Sequence, residues 1–189
     1  MWKYAGLNSD GEWVIYDKNG EYKAGMDATD EDMYVVGNGL PKFTASWSNY
    51  LKYKNLDLSI YFRGAFGFEI FNIHEFYYGI PGMTSNVMKT AYTKNANIKE
   101  NPLVCDYFIE RGDYLKLDMV TIGYTIPLVS KYFDSVRFSL TGKNLFTLTS
   151  FSGVDPSTYS TNGLTPGATG SRNYYPSCRQ FLAAVQIAF

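Results

Sequence analysis

Phe181-Leu182-Ala183-Ala184-Val185-Gln186-Ile187-Ala188-Phe189 is the stretch that decides how the rest of the chain is read. Phe181, Ala183, Val185, Ile187 and Phe189 are apolar at every second position, so an extended strand would carry one wholly apolar face. A soluble domain has little reason to finish on its most hydrophobic strand without a polar tail. The last strand of a membrane β-barrel does, because one side must meet lipid while its edge pairs to close the sheet. The expectation is therefore an all-β, antiparallel protein whose strands belong to a transmembrane barrel.

Working outward, the composition agrees. Aromatic residues make up 17% of the 189-residue chain, with 17 Tyr, 13 Phe and 3 Trp, an excess that suits interfacial girdles or a sticky binding surface. Seventeen basic against 18 acidic residues leave a net charge of −1, which provides no electrostatic footprint for nucleic acid. No run of about 18 apolar residues exists, so a transmembrane helix is excluded. Met1–Leu7 has no apolar stretch resembling an export signal. An outer-membrane protein without one is expected to be a piece of something longer.

Residues 1–40 are turn-rich. Asp10-Gly11 and Asn19-Gly20 bracket Glu12-Trp13-Val14-Ile15-Tyr16, which predicts a short hairpin or meander outside any membrane. Asp17-Lys18-Asn19-Gly20-Glu21 has the first residues of a calcium loop without the remaining ligands, so a plain turn is the favoured reading. Residues 41–189 then hold the barrel strands. Phe43, Ala45, Trp47 and Leu51 share one face, opposed by Thr44, Ser46, Ser48 and Tyr50. Beyond a turn at Lys54-Asn55, Leu56, Leu58, Ile60 and Phe62 oppose Asp57, Ser59, Tyr61 and Arg63. Two cleanly alternating runs joined tightly make an antiparallel hairpin.

Alternation disappears from 67 to 113, where a helical stretch is expected near 84–95. It resumes at Tyr114–Ile126, stopped by Pro127, and again from Ser135 to Thr141 into Gly142-Lys143-Asn144-Leu145-Phe146. A second long loop, 149–179, precedes the last strand. Connections thus alternate between short and long, with strands of about ten residues, enough to cross an outer membrane at a tilt. Barrels of this kind carry their long loops on the extracellular side. The domain reading is a segment 1–40 in an extracellular loop or hairpin, then C-terminal barrel strands over 41–189 with loops 67–113 and 149–179.

Several phrases resemble a known family. They are Gly37-Asn38-Gly39-Leu40-Pro41-Lys42-Phe43, Tyr53-Lys54-Asn55-Leu56-Asp57-Leu58-Ser59, Tyr61-Phe62-Arg63-Gly64, Gly112-Asp113-Tyr114-Leu115-Lys116-Leu117 and Thr121-Ile122-Gly123-Tyr124-Thr125-Ile126-Pro127. The strongest is Gly142-Lys143-Asn144-Leu145-Phe146-Thr147-Leu148-Thr149, followed by Gly153-Val154-Asp155-Pro156 and Tyr174-Tyr175-Pro176. In this order the set resembles the C-terminal end of SusC/RagA-type TonB-linked outer-membrane transporters, thinning over 68–105. The resemblance implies about five strands of a barrel that has about 22 in the full family protein. It also implies a Gram-negative outer-membrane location and a plug and TonB-contacting segment outside this chain. Import of glycans first, or of peptides, with a SusD-type surface lipoprotein as cap completes the set. Five strands alone would leave two open edges, which hydrocarbon does not tolerate.

No enzyme is expected. The chain has a single histidine, His74, so it cannot build a multi-histidine zinc site, and no nucleophile motif accompanies it. No phosphate loop or dinucleotide fingerprint is present, and no cofactor or metal is expected. The expected partners are the SusD-type lipoprotein, the TonB complex through the missing N-terminal region, the oligosaccharide or peptide substrate and outer-membrane lipid. Tyr77, Tyr78, Tyr159, Tyr174 and Tyr175 are the candidates for contact with a ligand or with the cap, since flat aromatic faces stack on sugars and anchor interfaces. Trp2 and Trp13 stand with them as loop aromatics outside the membrane, and packing of loop on loop is the plainer alternative for the whole set.

Arg63 and Arg137 should point to the lumen, because a midplane Arg facing lipid costs about 2–4 kcal/mol; Lys116 and Asp118 fall near the outer rim. The Gly142–Phe146 motif reads as a bend in a strand leaving the bilayer. Phe181, Val185, Ile187 and Phe189 mark the terminal strand that the resemblance implies is read by the barrel-assembly machinery. Cys105 and Cys178 both fall in loop segments, where a disulfide is geometrically allowed and unpaired thiols are favoured. Two readings compete. A soluble or surface-attached β-sandwich carbohydrate-binding module would bury the terminal strand in a two-sheet core, but sandwiches carry turn signals about every 8–12 residues, and the spacing here is uneven. A non-functional gene remnant is the other.

Overall fold

The structure, a computed structural model, describes residues 1–82, 86–128, 132–159, 165–168 and 176–189. Its strands are β1 (Lys3–Leu7), β2 (Trp13–Tyr16), β3 (Tyr22–Ala24), β4 (Phe43–Tyr53), β5 (Leu56–Phe66), β6 (Glu69–Phe71), β7 (Ile109–Arg111), β8 (Tyr114–Pro127), β9 (Ser135–Thr149) and β10 (Gln180–Ala188). One short helix, α1, spans Ile73–Tyr78. The described residues fall into two compact units. The first holds Met1–Pro41, Gly67–Gly112 and the described residues from Phe151 to Ala168; the second holds Lys42–Phe66, Asp113–Ser150 and the described residues from Pro176 to Phe189.

The second unit is one antiparallel sheet in the order β10-β9-β8-β5-β4, the expected five strands of a barrel wall. Strand alternation becomes face alternation through the register. Val185 pairs with Phe138 and Ala183 with Leu140; Phe138 pairs with Tyr124 and Leu140 with Ile122; those two pair with Leu56 and Leu58. All of these positions lie on one face of the sheet. Phe138, Leu140, Ile122 and Val185 are 48%, 56%, 49% and 59% exposed. A continuous apolar face of this kind has no stable solution in water, and it is what lipid requires of a barrel.

The opposite face is polar: Ser46, Ser48, Asp57, Ser59, Tyr61, Arg63, Thr121, Arg137, Ser139 and Thr141. Thr121 and Thr141 are hydrogen-bonded through their hydroxyls at 2.8 Å. Arg63 pairs with Asp118 at 2.7 Å and Arg137 with Asp57 at 2.6 Å. Both arginines thus stand on the side away from the apolar face.

The hairpin β4–β5 turns on Lys54-Asn55, with Lys54 in the left-handed region (φ 53°). At Gly142–Phe146 the structure supplies the reason for the motif. The β8–β9 register jumps between Leu117 and Met119, and facing that jump Asn144 adopts φ 52°. Asn is among the few side chains tolerated there, and its Nδ2 donates to the Cys178 carbonyl at 3.0 Å. The motif is a bulge.

The first unit is built differently. Asp10-Gly11 and Asn19-Gly20 turn a three-stranded meander, β1-β2-β3, with Gly11 and Gly20 at φ 83° and 85°. The Asp17 carboxylate is engaged by the backbone N–H groups of Asn19 and Glu21, both at 2.8 Å, so the calcium-like run is an Asx turn. Residues 67–112 are pinched at the base by β6 and β7, and the helix lies at 73–78, earlier than the expected 84–95. There Asn72 caps it, its Oδ1 accepting from the Glu75 N–H at 3.1 Å. Within the described part of 84–95 only a short 3₁₀ turn, Lys89–Tyr92, occurs.

Meander and loop share one core of Trp13, Phe76, Ile80, Ile98, Cys105 and Phe108. Trp13 also donates Nε1–H to the Asn101 carbonyl at 2.8 Å, and the Tyr4 N–H donates to Asp106 at 2.6 Å. The long loop is therefore a folded body. Its aromatic rings meet edge to face, as in Trp13–Tyr107 and Phe76–Phe108, 5.4 and 5.2 Å between centroids. Cys105 is buried here and Cys178 is exposed; both are free thiols.

Candidate functional site

The chemistry of the first unit centres on α1 and what surrounds it. Glu75 is buried, and a carboxylate without water needs donors. It receives them from Asn95 Nδ2 at 2.8 Å and Thr90 Oγ1 at 3.0 Å. Asn95 also donates to the Gly79 carbonyl at 2.6 Å and accepts from the Tyr107 hydroxyl at 2.6 Å. Burial, with help from neighbouring Tyr4 and Glu75, pushes the Tyr107 hydroxyl up to about 12, so it stays a donor. On the other flank Asn72 donates to Glu110 at 2.8 Å, and Glu110 accepts from the Ser152 N–H and hydroxyl, both at 2.7 Å. This network fixes α1 against residues 89–95 and against 151–153.

The rigid frame leaves a groove of about 410 Å³ lined by His74, Tyr78, Asn86, Val87, Met88, Ser152, Gly153 and Val154. His74 and Tyr78 share a helix face at i and i+4, their rings nearly parallel at 6.5 Å. The Met88 N–H donates to the Tyr78 carbonyl at 2.7 Å and holds the far wall in place. The lining is mostly apolar, with an imidazole, an amide and two hydroxyl-bearing side chains at its margins. It suits an apolar side chain carried on a polar backbone. Among the described residues, no group of three or more His, Cys, Asp or Glu side chains stands ready to hold a metal ion.

A second concavity of about 260 Å³ lies among Met1, Tyr34–Gly39, Glu69, Phe71, Ile109 and Pro166–Ala168. Here Gly39 and Gly167 pack backbone on backbone; a Cβ on either would overlap its neighbour. The β6 edge is occupied, since Glu69 N–H donates to Asn38 and Phe71 N–H to Gly167, both at 2.9 Å.

The five tyrosines expected to make contacts separate. Tyr78 lines the groove. Tyr77, one residue earlier and about 100° round the helix, packs instead on Phe76 and the core, 4.9 Å between rings. Tyr159 is 5% exposed and sits edge-on to Phe151 at 5.5 Å. Tyr174 and Tyr175 lie outside the described residues. Trp13 is a core residue. The sequence reading missed Val87 and Met88, which carry no motif, and had Val154 only inside the phrase Gly153-Val154-Asp155-Pro156; they meet because 86–88 and 152–154 fold against α1. The Tyr77-Tyr78 dipeptide and the Gly153-Val154 phrase were signals of the place, neither read as a groove.

At the other end of the chain, Phe181, Val185 and Ile187 lie along β10, which pairs with β9 from Gln180 to Ala188. Phe189 is 84% exposed, its ring 5.5 Å from Phe133.

Sheet, faces and loops define the class: a segment of a transmembrane β-barrel wall with its loop structure. No family model matches the chain. Curated relatives do. A TonB-dependent receptor of Formosa agariphila is 30% identical over 156 residues, 74% of this chain and 16% of the relative. A second receptor of that organism is 29% identical over 197 residues, 92% of this chain and 19% of the relative. Among solved structures, the RagAB peptide transporter superposes with a TM-score of 0.80 at 21% identity, over 100% of this chain and 22% of that one. The RagAB peptide importer in its closed-closed state gives 0.76 with the same coverage and identity.

The chain belongs to the TonB-dependent receptors. Its fold is that of the RagAB transporter's barrel, and its motifs are those of the C-terminal part of SusC/RagA-type transporters. It spans about a fifth or less of the length of the relatives it matches. These relatives are named as receptors and transporters, not as enzymes.

Proposed function

We propose that this chain forms the C-terminal wall and part of the outer vestibule of a TonB-dependent importer of nutrient oligomers in the Gram-negative outer membrane. The wall is 41–66 with 114–149 and the terminal strand; the vestibule is 1–40 with 67–113 and 149–179, on the extracellular side. TonB engages a region outside this chain. A SusD-type lipoprotein caps the vestibule, a reading supported by the RagAB likeness. Phe181, Val185, Ile187 and Phe189 serve as the strand read during barrel assembly. The chain performs no catalysis.

The observation that carries this reading is the pairing of a lipid-type face, exposed across five strands, with a loop body that has its own buried core. Mobile turns would not need such a core. Among the described residues Tyr78 is the contact tyrosine, and Tyr77 and Tyr159 pack in the loop body around it.

Of the two substrate classes we take peptides, and the mostly apolar lining of the groove supports that choice. Val87, Met88 and Val154 give an apolar peptide side chain its seat, and His74, Tyr78, Asn86 and Ser152 offer polar partners to the backbone that carries it. The name of the RagAB neighbours points the same way. The test is uptake of labelled oligopeptides and oligosaccharides by cells carrying the protein, with and without Val154→Arg to fill the groove. Selective loss of peptide uptake is expected. Loss of oligosaccharide uptake with peptide uptake intact would replace peptides by glycans in this reading.

A further inference from the structure

Arg137 on β9 makes two unlike contacts. Its Nη2 and Nε meet the Asp57 carboxylate of β5 at 2.6 and 3.1 Å, and its Nη1 donates to Gln186 of β10 at 3.1 Å. Asp57 is two strands away, with β8 between them. The reach is possible because β8 presents Gly123 at the crossing. Asp57 pairs with Gly123 and Arg137 with Thr125, and a Cβ on Gly123 would lie 2.6 Å from both Asp57 oxygens and overlap the guanidinium.

The three interfaces that surround β8 and β9 are not equally specified. Between β8 and β9 the chain has only the short connection from Leu128 to Asp134, whose ends are joined by the Leu128 N–H donating to the Asp134 carbonyl at 3.0 Å, and this limits the register. Between β5 and β8 the chain runs through 67–113 and between β9 and β10 through 150–179, so no tight turn sets either pairing. The period-2 pattern does not help. A one-residue slip would invert the faces, but a two-residue slip keeps the alternating apolar residues on the lipid side. Inside, it sets Asp57, Ser59 and Tyr61 of β5 against Thr125, Gly123 and Thr121 of β8, and Ala184, Gln186 and Ala188 of β10 against Thr141, Ser139 and Arg137 of β9.

We propose that Arg137 is a register pin of this wall, acting through Asp57 and Gln186 on the two interfaces that no tight turn sets, with Gly123 as the opening through which it acts; the Arg63–Asp118 pair, 2.7 Å, crosses β5–β8 farther along. A slip of two moves Asp57 about 7 Å along β8. In one direction the pair is out of reach; in the other the Thr125 side chain replaces the opening. On β10 the same slip takes Gln186 away from its partner Arg137. Charge-assisted and bidentate, the Arg137–Asp57 contact has a geometric specificity that small side chains such as Ser59, Thr121 and Ala184 lack.

The test is register-resolved disulfide trapping in the full-length receptor in the outer membrane, with Cys105→Ala and Cys178→Ser as background. Ser59→Cys with Thr121→Cys reports the native β5–β8 pairing, and Tyr61→Cys with Thr121→Cys the slipped one. Ser139→Cys with Ala184→Cys and Thr141→Cys with Ala184→Cys do the same for β9–β10. Ser48→Cys with Tyr61→Cys, across the tight β4–β5 hairpin, is the internal control. Arg137→Met should lower both native signals about tenfold relative to the slipped ones, with the control unchanged. Gly123→Ala, which keeps both charges and parts them, should shift β5–β8 alone. Native trapping in both variants overturns the proposal. So does complete loss of inserted protein in both, because a residue that only sets register leaves a slipped barrel in the membrane.

Discussion

The wall sheet and the loop body use the same aromatic-rich alphabet to opposite ends. In the sheet, Phe138, Leu140 and Val185 are about half exposed or more, on a face whose solvent is lipid; order comes from backbone ladders and from a few charged contacts on the other side. In the loop body, Trp13, Phe76 and Phe108 are buried against one another, and order comes from packing plus the Glu75–Asn95–Tyr107 hydrogen bonds. The wall therefore tolerates change of side-chain shape and punishes change of polarity. The loop body punishes both.

The largest expected effect tests that difference in the loop body. Trp13→Ala should destabilise it by about 3–5 kcal/mol, through lost burial and the cavity left behind, read as protease cleavage within 1–40 and 67–112 while the wall strands β4, β5, β8, β9 and β10 stay protected. The same truncation at Phe138 on the lipid face should leave protection unchanged. Next, Leu140→Arg should cost about 2–4 kcal/mol of barrel stability in bilayers, against almost nothing for Ser139→Arg one residue away. Denaturation in lipid vesicles measures both, and equal costs would remove the distinction between the faces.

A smaller effect is expected at the bulge. Asn144→Val forces a β-branched residue into φ 52° and should cost about 1–3 kcal/mol, whereas Asn144→Gly should be close to neutral in the same assay. The two thiols then compare the regions without any change of backbone. Cys105, whose thiol burial pushes up to about 12, should resist alkylation in the native protein at pH 8, while exposed Cys178 reacts. Because the folded value lies above the ordinary thiol value of about 8.5, this contribution to loop stability is complete below that pH and is lost as pH rises toward 12. At the acid end the sign reverses. Lys23, with the Thr29 and Lys18 donors, holds the Asp32 carboxyl well below the usual range. Its contribution is present above about pH 4 and falls away on acidification, and Asp32→Asn should flatten that limb of a stability–pH curve.

The wall was legible because its order repeats. Val136, Phe138 and Leu140, or Leu56, Leu58 and Ile60, announce a face every second residue, and the five strands follow with boundaries close to those expected. The loop body was not legible for the opposite reason. Trp13, Phe76, Ile98 and Phe108 have no common period, and their core exists only after distant segments meet. The helix was expected at 84–95, where residues have weak propensity on both sides, while the decisive signal, Asn72 capping Ile73–Tyr78 with its Glu75 anchored by Asn95, depends on tertiary partners. Tyr78 was visible as an aromatic in a loop, and the groove around it was not. Gly123 was visible inside a family phrase, but its reason, the passage of Arg137, appears only with the register.

The most direct test of the account is which solvent each face of the wall meets. Single cysteines at Leu140 and Val185, and at Ser139 and Thr121, can be challenged in membranes with a lipid-phase thiol reagent and with a membrane-impermeant aqueous one. The account predicts that the first pair reacts only from lipid and the second only from water, alternating residue by residue along β9. Leu140 and Val185 shielded from both reagents, as in a buried two-sheet core, or open to the aqueous one, would contradict it.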